Sequence, residues 1–260
     1  MRALRQVDGW PCGHAAVAVT GRVEAWHGDL DRPFSWASVT KLATAVAVLV
    51  AIDEGSVELD EPAGPPGSTV RHLLAHASGL GPDATTPLEP PERHRIYSNA
   101  GFEVVATHVA ARTEIPFADY FREVWGFDLA GSPASGVAAP LRTLLLLARE
   151  LMTPERLAPE TLAAAASVQF PGLGGVLPGF GRRDPNDWGL GLELRDAKAP
   201  HWTGTLNSQE TYGHFGRSGS FLWVDPEAEL ALACLTDLDF GDWAKDAWPR
   251  LSDAVLEEVG

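Results

Sequence analysis

The segment from Ser38 to Glu54 constrains the fold of this chain more than any other. Its sequence, SVTKLATAVAVLVAIDE, is almost entirely apolar or helix-forming, and Gly55 follows where a helix is expected to stop. This composition predicts a buried helix that begins at the serine. Because residues three apart lie on one helical face and side chains tilt toward the N-terminus, we expect Lys41 to lean back over Ser38.

The pair formed by Ser38 and Lys41 has the residue types of an activated nucleophile. A serine hydroxyl is a weak nucleophile until a neighbouring group removes its proton, and Lys41 is the candidate base. The pKa of its amine has to fall from about 10.4 by roughly 3, which burial among the apolar residues 42–50 can achieve. Free N–H groups at the helix start favour an alkoxide and offer a donor to an oxyanion.

A second motif, Tyr97-Ser98-Asn99, places a phenol and an amide two residues apart, so that both side chains share one side of an extended or turn segment. Tyr97 is a candidate for proton relay. Asn99 is a candidate ligand of the substrate or of Lys41, and the alternative is that it only caps the helix predicted over residues 99–113.

A third motif, His214-Phe215-Gly216, precedes a predicted hairpin. The apolar run 221–224, the Asp225-Pro226 turn and the partner run 230–235 predict two antiparallel strands. The motif therefore lies at the entrance of a sheet.

We predict a binding role for each polar or permissive position of this third motif. Gly216 would let a substrate backbone approach the strand closely, and the backbone N–H of Arg217 would serve as a second oxyanion donor. His214 would bind a carboxylate or help to keep Lys41 deprotonated.

Together these motifs resemble the S-x-x-K, Y-x-N and H-x-G trio of the serine β-lactamase and penicillin-binding-protein superfamily, in the branch of class C β-lactamases, D-alanyl-D-alanine peptidases and related esterases. The family's L-L-x-H-x-S-G-L stretch appears at residues 73–80 and a W-G-L-G segment at residues 188–191, so the resemblance spans most of the chain. The resemblance implies that Ser38 is the acyl-enzyme nucleophile and that Lys41 and Tyr97 form the acid/base pair. It also implies that Asn99, His214 and Gly216 line the site.

Two departures from the drug-resistance enzymes shift the expected activity. Where those enzymes carry K-T-G, this chain has His214-Phe215-Gly216, which weakens the fixed positive charge that grips a carboxylate. The chain is also shorter than most class C members. These differences favour a serine hydrolase acting on small esters or amides. The alternatives are a D-alanyl-D-alanine carboxypeptidase or weak β-lactamase, and a non-catalytic ligand-binding relative.

The expected mechanism needs no cofactor. Ser38 attacks a carbonyl while Lys41 or Tyr97 takes its proton, and the oxyanion is held by the N–H groups of Ser38 and Arg217. Water then hydrolyses the acyl-enzyme, with Tyr97 or Lys41 as base.

The order of elements predicts an α+β fold of the β-lactamase/transpeptidase type. A first strand over 15–23, a helical and loop-rich middle, closing strands and a C-terminal helix over 243–258 predict an antiparallel sheet built from both chain ends. We expect terminal helices on one face of this sheet and the Ser38 helix on the other. Residues 1–260 would form one catalytic domain, with a sheet region of about 1–37 and 185–260 and a mostly helical lobe of about 55–180.

Other polar and aromatic residues are weaker candidates. His72 and His76 have a spacing that can hold zinc, but the accompanying glutamate and a third ligand are missing. We therefore interpret them as packing residues, with His76 fixing the Ser78-Gly79 turn, and predict no metal. Trp36 and Trp223 are candidate substrate contacts because of their positions next to the first and third motifs.

Composition limits the partners and the location. A net charge of −15 and 45% hydrophobic residues argue for one substantial core and against nucleic acid or an anionic membrane as partner. The first residues contain no continuous apolar stretch, which predicts a cytoplasmic protein. In that compartment Cys12 and Cys234 would remain thiols, although their pairing stays open. A cytoplasmic enzyme does not meet mature peptidoglycan, so we expect a small ester, amide or peptide substrate.

Overall fold

The computed structural model describes every residue from 1 to 260. Its α-helices are α1 (Thr40–Asp53), α2 (Val70–Leu74), α3 (Asn99–Thr113), α4 (Phe117–Trp125), α5 (Leu141–Met152), α6 (Pro159–Ala165) and α7 (Asp242–Val259). Its strands are β1 (Ala15–Gly21), β2 (Ala25–His27), β3 (Pro33–Ser35), β4 (Ala138–Pro140), β5 (Gly175–Leu177), β6 (Gly181–Arg183), β7 (Glu193–Leu194), β8 (Tyr212–Gly216), β9 (Ser220–Asp225) and β10 (Leu230–Thr236). The chain divides into two compact units, the first formed by residues 1–39, 137–154 and 195–260 and the second by residues 40–136 and 155–194.

The first unit contains an antiparallel sheet in which strands follow the order β2-β1-β10-β9-β8. Since β1 comes from the start of the chain and β8 to β10 from its end, the predicted sheet from both chain ends is confirmed. All residues of β9 and β10 are buried, which explains why these strands read as continuous apolar runs rather than alternating ones.

Helices of the first unit cover this sheet in a partly unexpected way. The helix that packs against β1, β9 and β10 is α5, which the sequence had placed in the helical lobe. The apolar residues of α5, among them Leu144 and Leu147, form a buried stripe along the helix. The packing of this stripe on the sheet makes the segment 137–154 part of the first unit. The C-terminal helix α7 packs on the sheet as predicted, since the ring centre of its Trp248 lies 5.0 Å from that of Phe221 in β9. It also packs against the N-terminal 3₁₀ helix Ala3–Gly9.

Several element boundaries agree closely with the sequence. The hairpin of β9 and β10 is confirmed, and the Asp225 carboxylate closes its turn by accepting a hydrogen bond from the Ala228 N–H at 3.2 Å. The helix predicted over 99–113 is confirmed, and the C-terminal helix extends one residue further at each end than predicted. The first strand ends at Gly21, two residues before the predicted end, because the backbone turns there with φ +123°.

The start of the serine helix differs from the prediction. Ser38 lies in a single 3₁₀ turn over Ala37–Val39, and α1 begins only at Thr40. The Val39 N–H bonds to the carbonyl of Trp36 at 3.1 Å, a bond three residues back that defines the tighter turn. Ala37 has φ +44°, an unusual value for a residue with a side chain, so the chain bends sharply just before the serine.

In the second unit, α1 is buried on all sides, from Thr40 to Ala51, and packs against α3 and α4. This burial accounts for the uninterrupted apolar sequence of the helix. None of the helices combines the length and the hydropathy that a membrane span requires. Both cysteines are free thiols, Cys234 buried in β10 and Cys12 partly exposed.

Candidate active site

Ser38 is presented by a firmly anchored turn of the first unit. Just before the turn, Trp36 is fully buried, and its backbone N–H and indole Nε1 donate to the carbonyls of Val137 at 3.0 Å and Ala139 at 3.1 Å. The Trp36 carbonyl accepts a further bond from Ser220 Oγ at 2.7 Å. Ser38 itself is partly exposed. A ligand therefore has access to a serine whose backbone is held in place.

Gly216 of β8 lies directly against this turn. A Cβ atom at this position would be 2.5 Å from the Trp36 carbonyl oxygen, 2.4 Å from Ser220 Oγ and 3.1 Å from the Ala37 Cβ. The glycine is thus required by the approach of the protein's own serine turn. This packing explains the residue type without a substrate, and contact of Gly216 with a substrate stays a prediction.

Gly216→Ala is expected to displace the serine turn, because one of the two nearest atoms, the Trp36 carbonyl oxygen, belongs to the backbone and cannot rotate away. We expect labelling of Ser38 by a fluorophosphonate to slow by roughly 10²-fold, the cost of a misplacement of about 1 Å, with a loss of about 1–3 kcal/mol in the free energy of unfolding. Gly9→Ala is the matched control, since a Cβ there meets nothing within 4 Å. Unchanged labelling in Gly216→Ala would show that the turn tolerates the methyl group.

His214 and Arg217 lie on either side of this glycine. The His214 ring is buried, and its Nδ1 lies 2.6 Å from the carbonyl oxygen of Phe215. Because a carbonyl only accepts, Nδ1 carries the proton, and in the neutral ring Nε2 is the acceptor. Arg217 is exposed, and its carbonyl accepts a bond from the Phe240 N–H at 2.7 Å. The predicted roles of both residues in substrate binding remain predictions.

Lys41 lies on the first turn of α1 in the second unit, with its side chain fully buried. Its Nζ donates to Asn99 Oδ1 at 2.6 Å and to the Ala134 carbonyl at 2.9 Å. The same atom lies 4.8 Å from the centre of the Tyr97 ring and 5.5 Å from that of Phe102. The structure therefore brings Lys41, Tyr97 and Asn99 together, as the second motif predicted.

The surroundings of Lys41 make its amine a base at neutral pH. Burial lowers the pKa of the Lys41 amine from 10.5 to about 7, against the opposing pull of the Asp83 and Glu103 carboxylates. A pKa close to the working pH is favourable for a general base, because the amine is often neutral and still binds a proton well. The dry environment predicted from the apolar sequence of α1 accounts for this change.

Tyr97 is held by two aromatic neighbours. Its ring centre lies 4.7 Å from that of His76 and 5.8 Å from that of Trp188, the first residue of the W-G-L-G segment. His76 Nδ1 also accepts the Ser98 backbone N–H at 3.1 Å. His76 thus packs and hydrogen-bonds as expected, and its ring contacts the Tyr97 motif. Its predicted role in fixing the Ser78-Gly79 turn stays a prediction.

Asn99 is a ligand of Lys41 and not the cap of α3. The cap is Ser98, whose Oγ accepts the Gly101 N–H at 2.9 Å. The Asn99 Nδ2 donates to Asp83 Oδ1 at 2.8 Å, which turns the amide oxygen toward Lys41. Asp83 is therefore a positioning residue for this pair. The interpretation of Asn99 as a simple N-cap is wrong.

The two tryptophans proposed as substrate contacts are both fully buried. Trp223 Nε1 donates to Ser252 Oγ at 3.0 Å in the core of the first unit, and Trp36 anchors the serine turn. His72 bonds to Thr69 and Glu92, at 2.8 Å and 2.9 Å, and stacks on a phenylalanine. These residues are structural, as their burial and hydrogen bonds indicate.

Sequence reasoning missed Asp83 and the carbonyl of Ala134 as partners in the Lys41 cluster. Asp83 lies in a proline-rich loop, where an acidic residue carries no distinctive signal, and a carbonyl oxygen has no residue type at all. Trp188 is a further neighbour of this cluster. The W-G-L-G segment singles it out in the sequence, but does not indicate that its ring packs beside Tyr97.

The chain is similar to several known proteins. The family model described as Beta-lactamase matches residues 2–127 and 124–256. A beta-lactamase from Mycobacterium bovis is 50% identical over 99% of both chains, with a TM-score of 0.97. A simvastatin synthase mutant from Aspergillus terreus is 17% identical over 99% of this chain and 97% of its own, with a TM-score of 0.80. SurE with D-Leu is 20% identical over 100% of this chain and 74% of its own, with a TM-score of 0.76. These last two share the fold alone. No curated protein sequence matches the chain.

Proposed function

Because this chain belongs to the beta-lactamase family, we propose that it is a serine hydrolase that cleaves small esters through an acyl-enzyme on Ser38. Its α+β fold is the one that the sequence predicted for this superfamily, whose members carry out serine acyl transfer. The observation that carries the proposal is the buried Lys41 amine, with a pKa of about 7, bonded to Asn99 and lying beside the Tyr97 ring.

In the proposed mechanism, Ser38 Oγ attacks the ester carbonyl and loses its proton to the neutral amine of Lys41, with Tyr97 able to pass the proton on. The bond to the leaving alcohol breaks, and the alcohol takes up that proton. Water then attacks the acyl-enzyme and gives a proton to the same base. The bond between the acyl carbon and Ser38 Oγ breaks, and the base returns the proton to that oxygen, so that the acid is released and the serine is restored. The oxyanion would be held by the backbone N–H groups of Ser38 and Arg217.

The state of His214 supports esters over β-lactams. A penicillin carries a carboxylate that a fixed cation binds well. Here the corresponding position is a buried histidine whose Nδ1 proton is already used by the Phe215 carbonyl. An ester without a carboxylate needs no such charge. The net charge of −15 further supports a small, uncharged or cationic substrate over an anionic polymer such as nucleic acid. We propose that the protein acts in the cytoplasm.

The second candidate is a penicillin-recognising enzyme. The protein from M. bovis that is 50% identical to this chain is described as a beta-lactamase, which favours this candidate. We expect p-nitrophenyl esters to turn over and a fluorescent penicillin to label the protein only weakly. Ser38→Ala is expected to lose both reactions. Stable penicillin labelling with little ester turnover would favour a D-alanyl-D-alanine carboxypeptidase. Rapid hydrolysis of nitrocefin would favour a β-lactamase, and no reaction with any substrate would favour a ligand-binding relative.

A further inference from the structure

A preformed pocket of about 590 Å³ lies against Tyr97 within the second unit. One wall is the loop of residues 82–88, the other is the hairpin of β5 and β6, and the segment 95–97 lies between them. Tyr97, the proposed proton relay, is one of the lining residues, so a group in this pocket lies next to a residue of the proposed reaction.

Backbone contacts hold both walls of the pocket. The Arg95 N–H donates to the Gly174 carbonyl at 2.9 Å, and a Cβ on Gly175 would lie 2.2 Å from the Arg95 carbonyl oxygen. On the opposite wall the Leu88 N–H donates to the Gly79 carbonyl at 2.9 Å. The pocket therefore exists before a ligand binds, and binding costs little conformational entropy.

The lining of the pocket is largely apolar and unusually exposed. Leu88 is 67% exposed and Val176 is 57% exposed, although both are large hydrophobic residues. At the rim, His94 and Glu89 are paired with each other at 2.9 Å. The lining has two further charged residues, Arg182 and Arg95, and the Arg95 guanidinium donates to four backbone carbonyls. An uncharged apolar group would remove this surface from water, with a favourable free energy proportional to the area covered.

We propose that this pocket binds a linear alkyl chain of the substrate, so that the enzyme prefers esters with a medium-length chain over acetates. This inference rests on the proposed esterase function. Each buried methylene is expected to raise kcat/KM about fourfold, so three buried methylenes raise it about 60-fold. Methyl octanoate and octyl acetate, each compared with methyl acetate, distinguish a chain on the acyl side from one on the alcohol side.

Val176→Asp tests the pocket by placing a charge in its apolar wall. We expect the ratio of kcat/KM for the preferred octyl-chain ester to that for methyl acetate to fall at least about tenfold, since a carboxylate next to the alkyl chain must be desolvated. Val168→Asp is the matched control, because Val168 is also exposed, at 41%, but does not line the pocket; its ratio is expected to stay at the wild-type value. Leu88→Ala, which adds no charge, is expected to lower the ratio severalfold and serves if Val176→Asp fails to fold.

A binding measurement separates this inference from the proposed function. Calorimetry of the Ser38→Ala variant with both octyl-chain esters is expected to show binding of one of them, weakened at least about tenfold by adding Val176→Asp and unchanged by Val168→Asp. Ester turnover without any chain-length preference would overturn the pocket and leave the esterase intact. Binding without turnover in the wild type would instead refute the esterase, and absence of both would refute the two together.

Discussion

Replacing Lys41 by methionine is expected to lower kcat/KM for ester hydrolysis by at least about 10³-fold, within the range that general-base catalysis supplies. Methionine fills a similar volume but cannot take the proton of Ser38. Thr44→Val is the matched control. Thr44 lies one turn further along α1, is equally buried, and donates to the Pro133 carbonyl at 2.7 Å, so its loss removes a comparable buried hydrogen bond without touching the base. Activity in Thr44→Val is expected to stay within a few-fold of the wild type.

The pH profile identifies the group that acts as base. Since the pKa of Lys41 lies at about 7, the neutral amine dominates above this pH. We expect the rate of acylation to fall about tenfold per pH unit below pH 7 and to level off above it. The residual activity of Lys41→Met is expected to lack this decrease below pH 7. A wild-type profile that stays flat from pH 5 to pH 9 would remove the lysine from the mechanism.

Folding stability reports the same pKa without any substrate. The unfolded amine keeps its proton up to pH 10.5, whereas the folded amine releases it near pH 7, so unfolding takes up a proton between these values. The free energy of unfolding therefore rises with pH in this window, by about 1.4 kcal/mol per pH unit from this group. We expect the wild type to show this additional slope in urea titrations relative to Lys41→Met. Parallel curves would mean that the amine keeps its ordinary pKa.

Arg95→Met is expected to destabilise the protein by about 3–5 kcal/mol, because removing a buried hydrogen-bonded charge leaves its partners unsatisfied. Arg95 is 2% exposed, and its guanidinium donates to four backbone carbonyls at 2.6–3.2 Å, those of Ala75, Gln169, Phe170 and Asn186. Burial lowers its pKa to about 10, so the group remains charged at neutral pH. Methionine matches the stem of the side chain and makes none of these bonds.

Urea denaturation measures this effect directly. Arg250→Met is the control, since Arg250 lies on the surface of α7 and pairs only with Asp246, and it is expected to change the free energy of unfolding by less than about 0.5 kcal/mol. Arg95→Lys is expected to recover only part of the loss, because an ammonium has three donors and a single centre. A change below about 1 kcal/mol in Arg95→Met would show that water replaces the guanidinium at the four carbonyls.

The parts of this structure that sequence predicts well are those whose signal is local. The helix over 99–113 and the hairpin of β9 and β10 follow from apolar periodicity and turn residues. The predicted start of α1 lies two residues before the observed one. A positive φ is usually signalled by a glycine in the sequence, and here the residue that adopts it is Ala37. The Arg95 network could not be predicted at all, since its acceptors are backbone carbonyls from distant segments.

The placement of α5 shows a further limit. The sequence places this segment in a mostly helical lobe of about 55–180, but only tertiary packing decides that β1 and β10 cover the buried face of α5. For the site, the motif residues could be named because nucleophile, base and amide are fixed residue types. The sequence predicts that Gly216 lets a substrate approach, and this stays a prediction; the close approach that the structure shows is that of the protein's own Trp36 carbonyl.

The central claim is that the Ser38 hydroxyl becomes acylated with the help of the buried Lys41 amine. Its most direct test is peptide mapping by mass spectrometry after acid quench of the enzyme with a p-nitrophenyl ester. We predict one acyl group on the peptide that contains Ser38, none in Ser38→Ala, and formation slowed at least about 10³-fold in Lys41→Met. An acyl group on another residue, or equal acylation of the Ser38→Ala variant, would contradict the account.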